Sequence, residues 1–146
     1  HFIDTDLIIQ AREKCRLQQI IDIQGLEKFR QIEEQMLLNL HPEHSVIATG
    51  GSVIYCEKGL EALGKTGILI YIQVSLTALQ KRIADMGQRG LVMAKEQTFK
   101  HLYQERTPLY EKFANLTIPC GEINAEQVAA RIEKEIERLW PMLLPD

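Results

Sequence analysis

A chain of 146 residues, 45% hydrophobic and 25% charged, has the size and composition of one globular domain. Its net charge of −3 offers no basic surface for nucleic acid, and no apolar run approaches the roughly 18 residues that span a membrane. Three scattered cysteines (Cys15, Cys56, Cys120) without a Cys-x-x-Cys favour free thiols in the cytoplasm over a disulfide framework, and the four histidines show no metal-ligand spacing.

Phe2 to Thr5 reads as a short strand running into Asp4-Thr5-Asp6. Open α/β sheets bind ligands at the carboxyl ends of their strands. Two acids there suit a divalent cation and a substrate hydroxyl, although Asp6 alone could cap the next helix. Helices are expected from Leu7 to about Lys14 and from Leu17 to Ile23, with Gly25 as a break. Leu26 to Leu40 follows as an amphipathic helix closed by His41-Pro42. On its wheel Leu26, Phe29, Ile32, Met36, Leu37 and Leu40 form an apolar stripe, with Glu33 in its middle and Arg30 at its edge. A charge facing inward must be paired or must bind something. Arg30 and Glu33 either satisfy each other at i,i+3 or line a cavity for an anionic, hydroxylated ligand.

Val46 to Thr49 reads as a buried strand closed by Gly50-Gly51, where the backbone can approach a ligand or simply turn. A helix is expected from Ile54 to Leu63, and a strand buried on both faces from Ile68 to Val74. Ser75 caps a helix to about Met86, and Gly87 to Lys95 reads as a loop. Arg82, Arg89 and Arg106 each read more commonly as solvated charges, yet Arg89, in a loop with Gly87 and Gly90, suits a lid that brings a cation to phosphate. Glu96 to about Lys112 is helical with a kink or break at Pro108, Leu116 to Pro119 is the last strand, and Asn124 caps a helix to Trp140. Strands alternating with helices predict an α/β fold, a parallel sheet covered by helices on both faces. Gly59 to Thr66 formally matches the phosphate loop G-x-x-x-x-G-K-[ST], but a helix precedes it and a strand follows, the reverse of what phosphate binding needs.

Five motifs in order carry a resemblance along nearly the whole chain: Phe2-x-Asp4-x-Asp6, Gly25-x-x-x-Phe29-Arg30-x-x-Glu33, Val46-Ile47-Ala48-Thr49-Gly50-Gly51, Leu79-x-x-Arg82, and Arg106-x-Pro108-Leu109-Tyr110. Together they resemble the shikimate kinase family, P-loop phosphotransferases related to nucleoside monophosphate kinases. The resemblance implies transfer of the ATP γ-phosphoryl group to the 3-hydroxyl of shikimate with Mg²⁺, a step of aromatic amino-acid biosynthesis, by a cytoplasmic monomer. It further implies that Asp4 binds Mg²⁺ largely through water and that Asp6 holds the acceptor hydroxyl and draws off its proton. Arg30 and Arg106 would clamp the substrate carboxylate, Glu33 would orient Arg30 and the ring, and Gly50 and Gly51 would lie beside the substrate. Arg82 would lie on adenine, and Arg89, in a lid at about 87–95, would reach the transferring phosphates.

The departures are specific. Ser52 stands for the family's third glycine, Arg89-Gly90-Leu91-Val92 for its lid Arg-Pro-Leu-Leu, and Gln10 for a frequent Glu. The family's first strand and phosphate loop would precede His1, so the expectation is a single domain, residues 1–146, seen without that segment of about 30 residues. Two other readings stay open: a kinase of the same build acting on another hydroxylated acid, and a non-catalytic ligand-binding module.

Overall fold

The computed structural model describes residues 1–86, 97–121 and 123–140. Strand β1 (Phe2–Asp4) leads directly into helix α1 (Thr5–Glu13). The cap between them is Asp4, whose Oδ1 accepts from the N–H groups of Asp6 at 2.9 Å and Leu7 at 3.1 Å. Asp6, the cap that the sequence reading allowed, lies within the first turn of α1 instead, and its carboxylate takes no part in the cap.

Helix α2 (Leu17–Leu38) is interrupted at Gly25, whose φ of 83° and ψ of 164° are open to glycine and strained for other residues. The expected break is therefore present, with helix on both sides of it. Beyond it Phe29, Glu33, Met36 and Leu37 are buried, and Leu26, Ile32 and Leu40 pack beside them. The apolar stripe faces the core, and Glu33 faces the core with it.

Strand β2 (Val46–Ala48) pairs parallel to β1, with Phe2 opposite Val46 and Asp4 opposite Ala48. Two residues past that last pair, the segments that follow the two strands place Asp6 against Gly50. The single helix expected over residues 54–63 is divided. A 3₁₀ turn (Gly51–Tyr55) comes first, the non-helical backbone of Cys56 intervenes, and α3 (Glu57–Gly64) follows. The tighter turn carries Ser52, Val53 and Ile54 into the interior. A β-carbon on Gly59 would stand 2.8 Å from Leu37 Cβ, so this glycine permits the close crossing of α2 and α3. The formal phosphate-loop match is thus helical from Gly59 to Gly64, and Lys65 is an exposed C-cap.

Strand β3 (Ile70–Val74) pairs parallel to β4 (Leu116–Cys120), with Ile70 opposite Leu116 and Val74 opposite Cys120. Burial on both faces of β3 is not found: Ile72 is 49% exposed, and only Val74 is buried. Ser75 Oγ accepts from Ala78 N–H at 3.3 Å and caps α4 (Leu76–Met86) as expected. Helix α5 (Phe99–Phe113) starts at a Thr98 cap and runs through Pro108 without the expected break. Just before the proline, the Thr107 hydroxyl donates to the Tyr103 carbonyl at 2.8 Å. Helix α6 (Ala125–Leu139) has the expected Asn124 cap, closed reciprocally by Gln127. The expected lid at about 87–95, with Arg89, lies outside the described residues.

Parallel pairing between helices matches the expected α/β class. Among the described residues the strands form two parallel pairs, β1–β2 and β3–β4, and no ladder joins the pairs. Each pair has its own buried cluster. Ile9, Phe29, Met36, Leu37, Val53 and Leu60 belong to one, and Val74, Ile118 and Cys120 form the other.

Candidate active site

Asp6, Gly50, Gly51, Arg106 and Tyr110 meet at the carboxyl ends of β1 and β2. A β-carbon on Gly50 would stand 2.8 Å from Asp6 Oδ1. One on Gly51 would stand 2.9 Å from Tyr110 Oη and 3.1 Å from an Arg106 guanidinium nitrogen. The two glycines thus let a carboxylate and a guanidinium press on one turn. Tyr110 Oη donates to the Gly51 carbonyl at 2.7 Å, tying α5 to that turn. The Tyr110 ring also stacks on Tyr71 of β3 with centroids 5.0 Å apart.

Burial raises the Asp6 carboxyl above its ordinary range, and the Asp4 charge adds to the effect. Asp6 Oδ1 is buried without a hydrogen-bond partner. A half-buried carboxylate with a higher proton affinity and an unused oxygen is equipped to accept a proton from a ligand hydroxyl.

Glu33 and Arg106 are both buried, at 0% and 8% exposure. The hydroxyl of Ser52 donates to Glu33 Oε1 at 2.6 Å, while Oε2 has no partner. Desolvation pushes the Glu33 carboxyl up to about 7; the Ser52 hydrogen bond opposes that, Asp6 adds to it, and the Arg106 and Arg30 charges oppose it. Self-satisfaction of Arg30 and Glu33 is not what the fold does. The Arg30 guanidinium lies over the Tyr55 ring, its Cζ 3.9 Å from the centroid, and its buried Nε has no hydrogen-bond partner. Cys56 Sγ donates to the Arg30 carbonyl at 3.6 Å, and burial, with a lesser effect of Glu33, pushes this thiol up to about 12, so it is an inert packing group.

The structure therefore gathers Asp6, Arg30, Glu33, Gly50, Gly51 and Arg106 around the segment from Gly50 to Tyr55. Asp4 stands next to them as the α1 cap. Arg82 is exposed on α4, and Arg89 lies outside the described residues. Sequence reasoning missed two contributors. Ser52 registered only as a departure from a glycine, and nothing in the spacing singled out Tyr55, which meets its partners through tertiary contacts.

The same elements, in the same order, occur in known proteins. The sequence model of a protein family described as "Shikimate kinase" matches residues 1–137. The chain belongs to the shikimate kinase family. Among its relatives, a shikimate kinase of Thermodesulfovibrio yellowstonii is 34% identical over 141 residues, covering 94% of this chain and 81% of that protein. The shikimate kinase of Aromatoleum aromaticum is 32% identical over 93% of this chain and 79% of its own length. Shikimate kinase from Acinetobacter baumannii, solved in complex with shikimate, superposes with a TM-score of 0.79 at 26% identity over 99% of this chain and 81% of that one. The Aquifex aeolicus shikimate kinase gives 0.76 at 29% identity over 94% and 83%. As a shikimate kinase family member the chain is a phosphotransferase of α/β fold, and no helix among its described residues is long and apolar enough to cross a membrane.

Proposed function

We propose that this protein transfers the γ-phosphoryl group of ATP to a hydroxyl of shikimate, in a site centred on the Gly50–Gly51 turn. One observation carries the reading: Asp6 and Arg106 press on adjacent glycines of the same turn, a proton acceptor beside a carboxylate anchor. Asp6 holds the acceptor hydroxyl and takes its proton as the bond to phosphorus forms. Arg30 and Arg106 bind the substrate carboxylate, a task suited to planar guanidinium forks. Glu33, held by Ser52, sets the local charge, and the glycines let the ring approach the backbone. Arg82 and Arg89 attend the nucleotide. Most of the rate enhancement in such transfers comes from positioning and charge neutralisation.

Mg²⁺ fits the acids present. It uses one or two carboxylates and keeps several waters. Asp6 offers a buried, unpartnered oxygen, and Asp4 keeps Oδ2 outside its helix cap. Asp4 would hold the ion through water, and the ion would neutralise phosphate charge. A cytoplasmic location agrees with the three free cysteines. A coupled ADP-release assay on the natural full-length protein with Mg·ATP tests the proposal. Shikimate-dependent turnover is the expected result. A response to another hydroxylated acid and none to shikimate transfers the same mechanism to that acceptor, an outcome for which Ser52 is the structural motive.

A further inference from the structure

The geometry points to Tyr55 as the positioning residue that holds the Arg30 guanidinium off Glu33 and shares one ring between Arg30 and Arg106, the two acid-binding arginines. This inference rests on the shikimate-binding reading above and deepens it.

Arg30 comes from α2 and Arg106 from α5, and Tyr55, at the end of the 3₁₀ turn, touches both. Arg30 Cζ lies 3.9 Å from the Tyr55 ring centroid, and Arg106 Cζ lies 5.4 Å from it. Arg106 Nε donates to Tyr55 Oη at 3.4 Å. The same phenol donates to Glu105 Oε1, and Glu105 Oε2 accepts from Gln97 Nε2 at 2.7 Å. A phenol has one proton to give and can also accept, so the direction of this relay is consistent.

Two cations held close repel, and the negative face of the ring with its phenolic oxygen offsets that repulsion. A second consequence concerns Glu33. Arg30 and Glu33 stand one helical turn apart, close enough to pair. Yet Arg30 Nε and Glu33 Oε2 are both buried without a hydrogen-bond partner. The ring holds the guanidinium on the opposite choice and leaves its fork for a ligand. Tyr55 thereby selects for a carboxylate on the substrate ring. Without it Arg30 falls onto Glu33, and the site loses its preference for the acid. Tyr55 touches no reacting atom in this account; it acts through the arginines.

The test uses the full-length protein and the variants Tyr55→Leu and Tyr55→Phe, with shikimate and its methyl ester as alternative acceptors. Tyr55→Leu is expected to raise KM for shikimate about tenfold, the size of a lost cation–π contact plus a hydrogen bond. KM for ATP should not follow, and kcat should change little. Discrimination between acid and ester should narrow by the same factor, which a loss of fold would not produce. Tyr55→Phe keeps the ring over Arg30 and should raise KM only about threefold. Unchanged acid-over-ester discrimination in Tyr55→Leu overturns the inference, as do shikimate and ATP constants that rise together. A wild-type protein that neither binds nor phosphorylates shikimate is a distinct failure, visible before any variant is made, and it overturns both the reading and this assignment.

Discussion

The hydroxyl of Ser52 donates to Glu33 Oε1 at 2.6 Å, inside a shell that leaves Glu33 fully buried. A serine four residues past β2 thus fixes an acid on α2, and the acid is held at a proton affinity it would not have in water. In the unfolded chain the carboxyl titrates near 4.5, and in the fold it is pushed up to about 7, mainly by desolvation. The neutral form is therefore the one the fold favours. Its contribution to stability is complete below about pH 4.5 and is lost as the pH rises through about 7, on the order of 3 kcal/mol in all. Glu33→Gln has no such charge to bury. Measured by thermal melting, its stability relative to wild type should increase steadily from about pH 5 to pH 8. A difference in melting temperature that does not depend on pH contradicts this account of Glu33.

The contact of Asp6 with Gly50 predicts an effect on turnover out of proportion to stability. A methyl group at Gly50 would stand 2.8 Å from Asp6 Oδ1, and the short acidic side chain must move to admit it. The backbone there, φ −65° and ψ 156°, accepts alanine without strain. Gly50→Ala should therefore shift the melting temperature by no more than about 4 °C. A displaced base is expected to lower kcat about 100-fold. Full activity in this variant, verified by steady-state kinetics, would show that Asp6 needs no fixed position.

Arg30→Ala and Arg106→Ala should each weaken shikimate binding and leave ATP binding nearly intact. Removing one charge-assisted partner of a desolvated carboxylate costs about 2–5 kcal/mol. Calorimetric titration with each ligand separates the two effects. Equal losses for shikimate and ATP would assign these arginines a structural role.

Much of the fold could be read locally. The stripe on α2 and the Asn124 cap of α6 follow from spacing alone, and so does the Gly25 interruption. The inward-facing Glu33 was visible on the same wheel, because helical periodicity reports which face is buried. Other features depend on residues far apart in the chain. Tyr55 meets Arg106 and Glu105 across about fifty residues, and no local period records such a contact. The apolar run of β3 promised burial on both faces, but its neighbours among the described residues cover it incompletely, and Ile72 is left exposed. At β1 the sequence made Asp6 the possible cap, and the geometry of the turn gives that role to Asp4 instead, because the helix starts at Thr5 and not at Leu7. At Pro108 the helix persists although the ring removes a backbone donor, and Leu109 and Tyr110 next to it pack against the core and the Gly51 turn.

The placement of the chemistry is decided by comparing two variants of the full-length protein in shikimate-dependent ADP release. Lys65 belongs to a stretch that mimics a phosphate loop, yet it ends a helix and is exposed, so Lys65→Ala should change turnover by less than about threefold, under roughly 0.7 kcal/mol of barrier. Asp6→Asn removes a positioned base and should lower kcat by about 10²- to 10⁴-fold. A dead Lys65→Ala beside an active Asp6→Asn would contradict the site described for this protein.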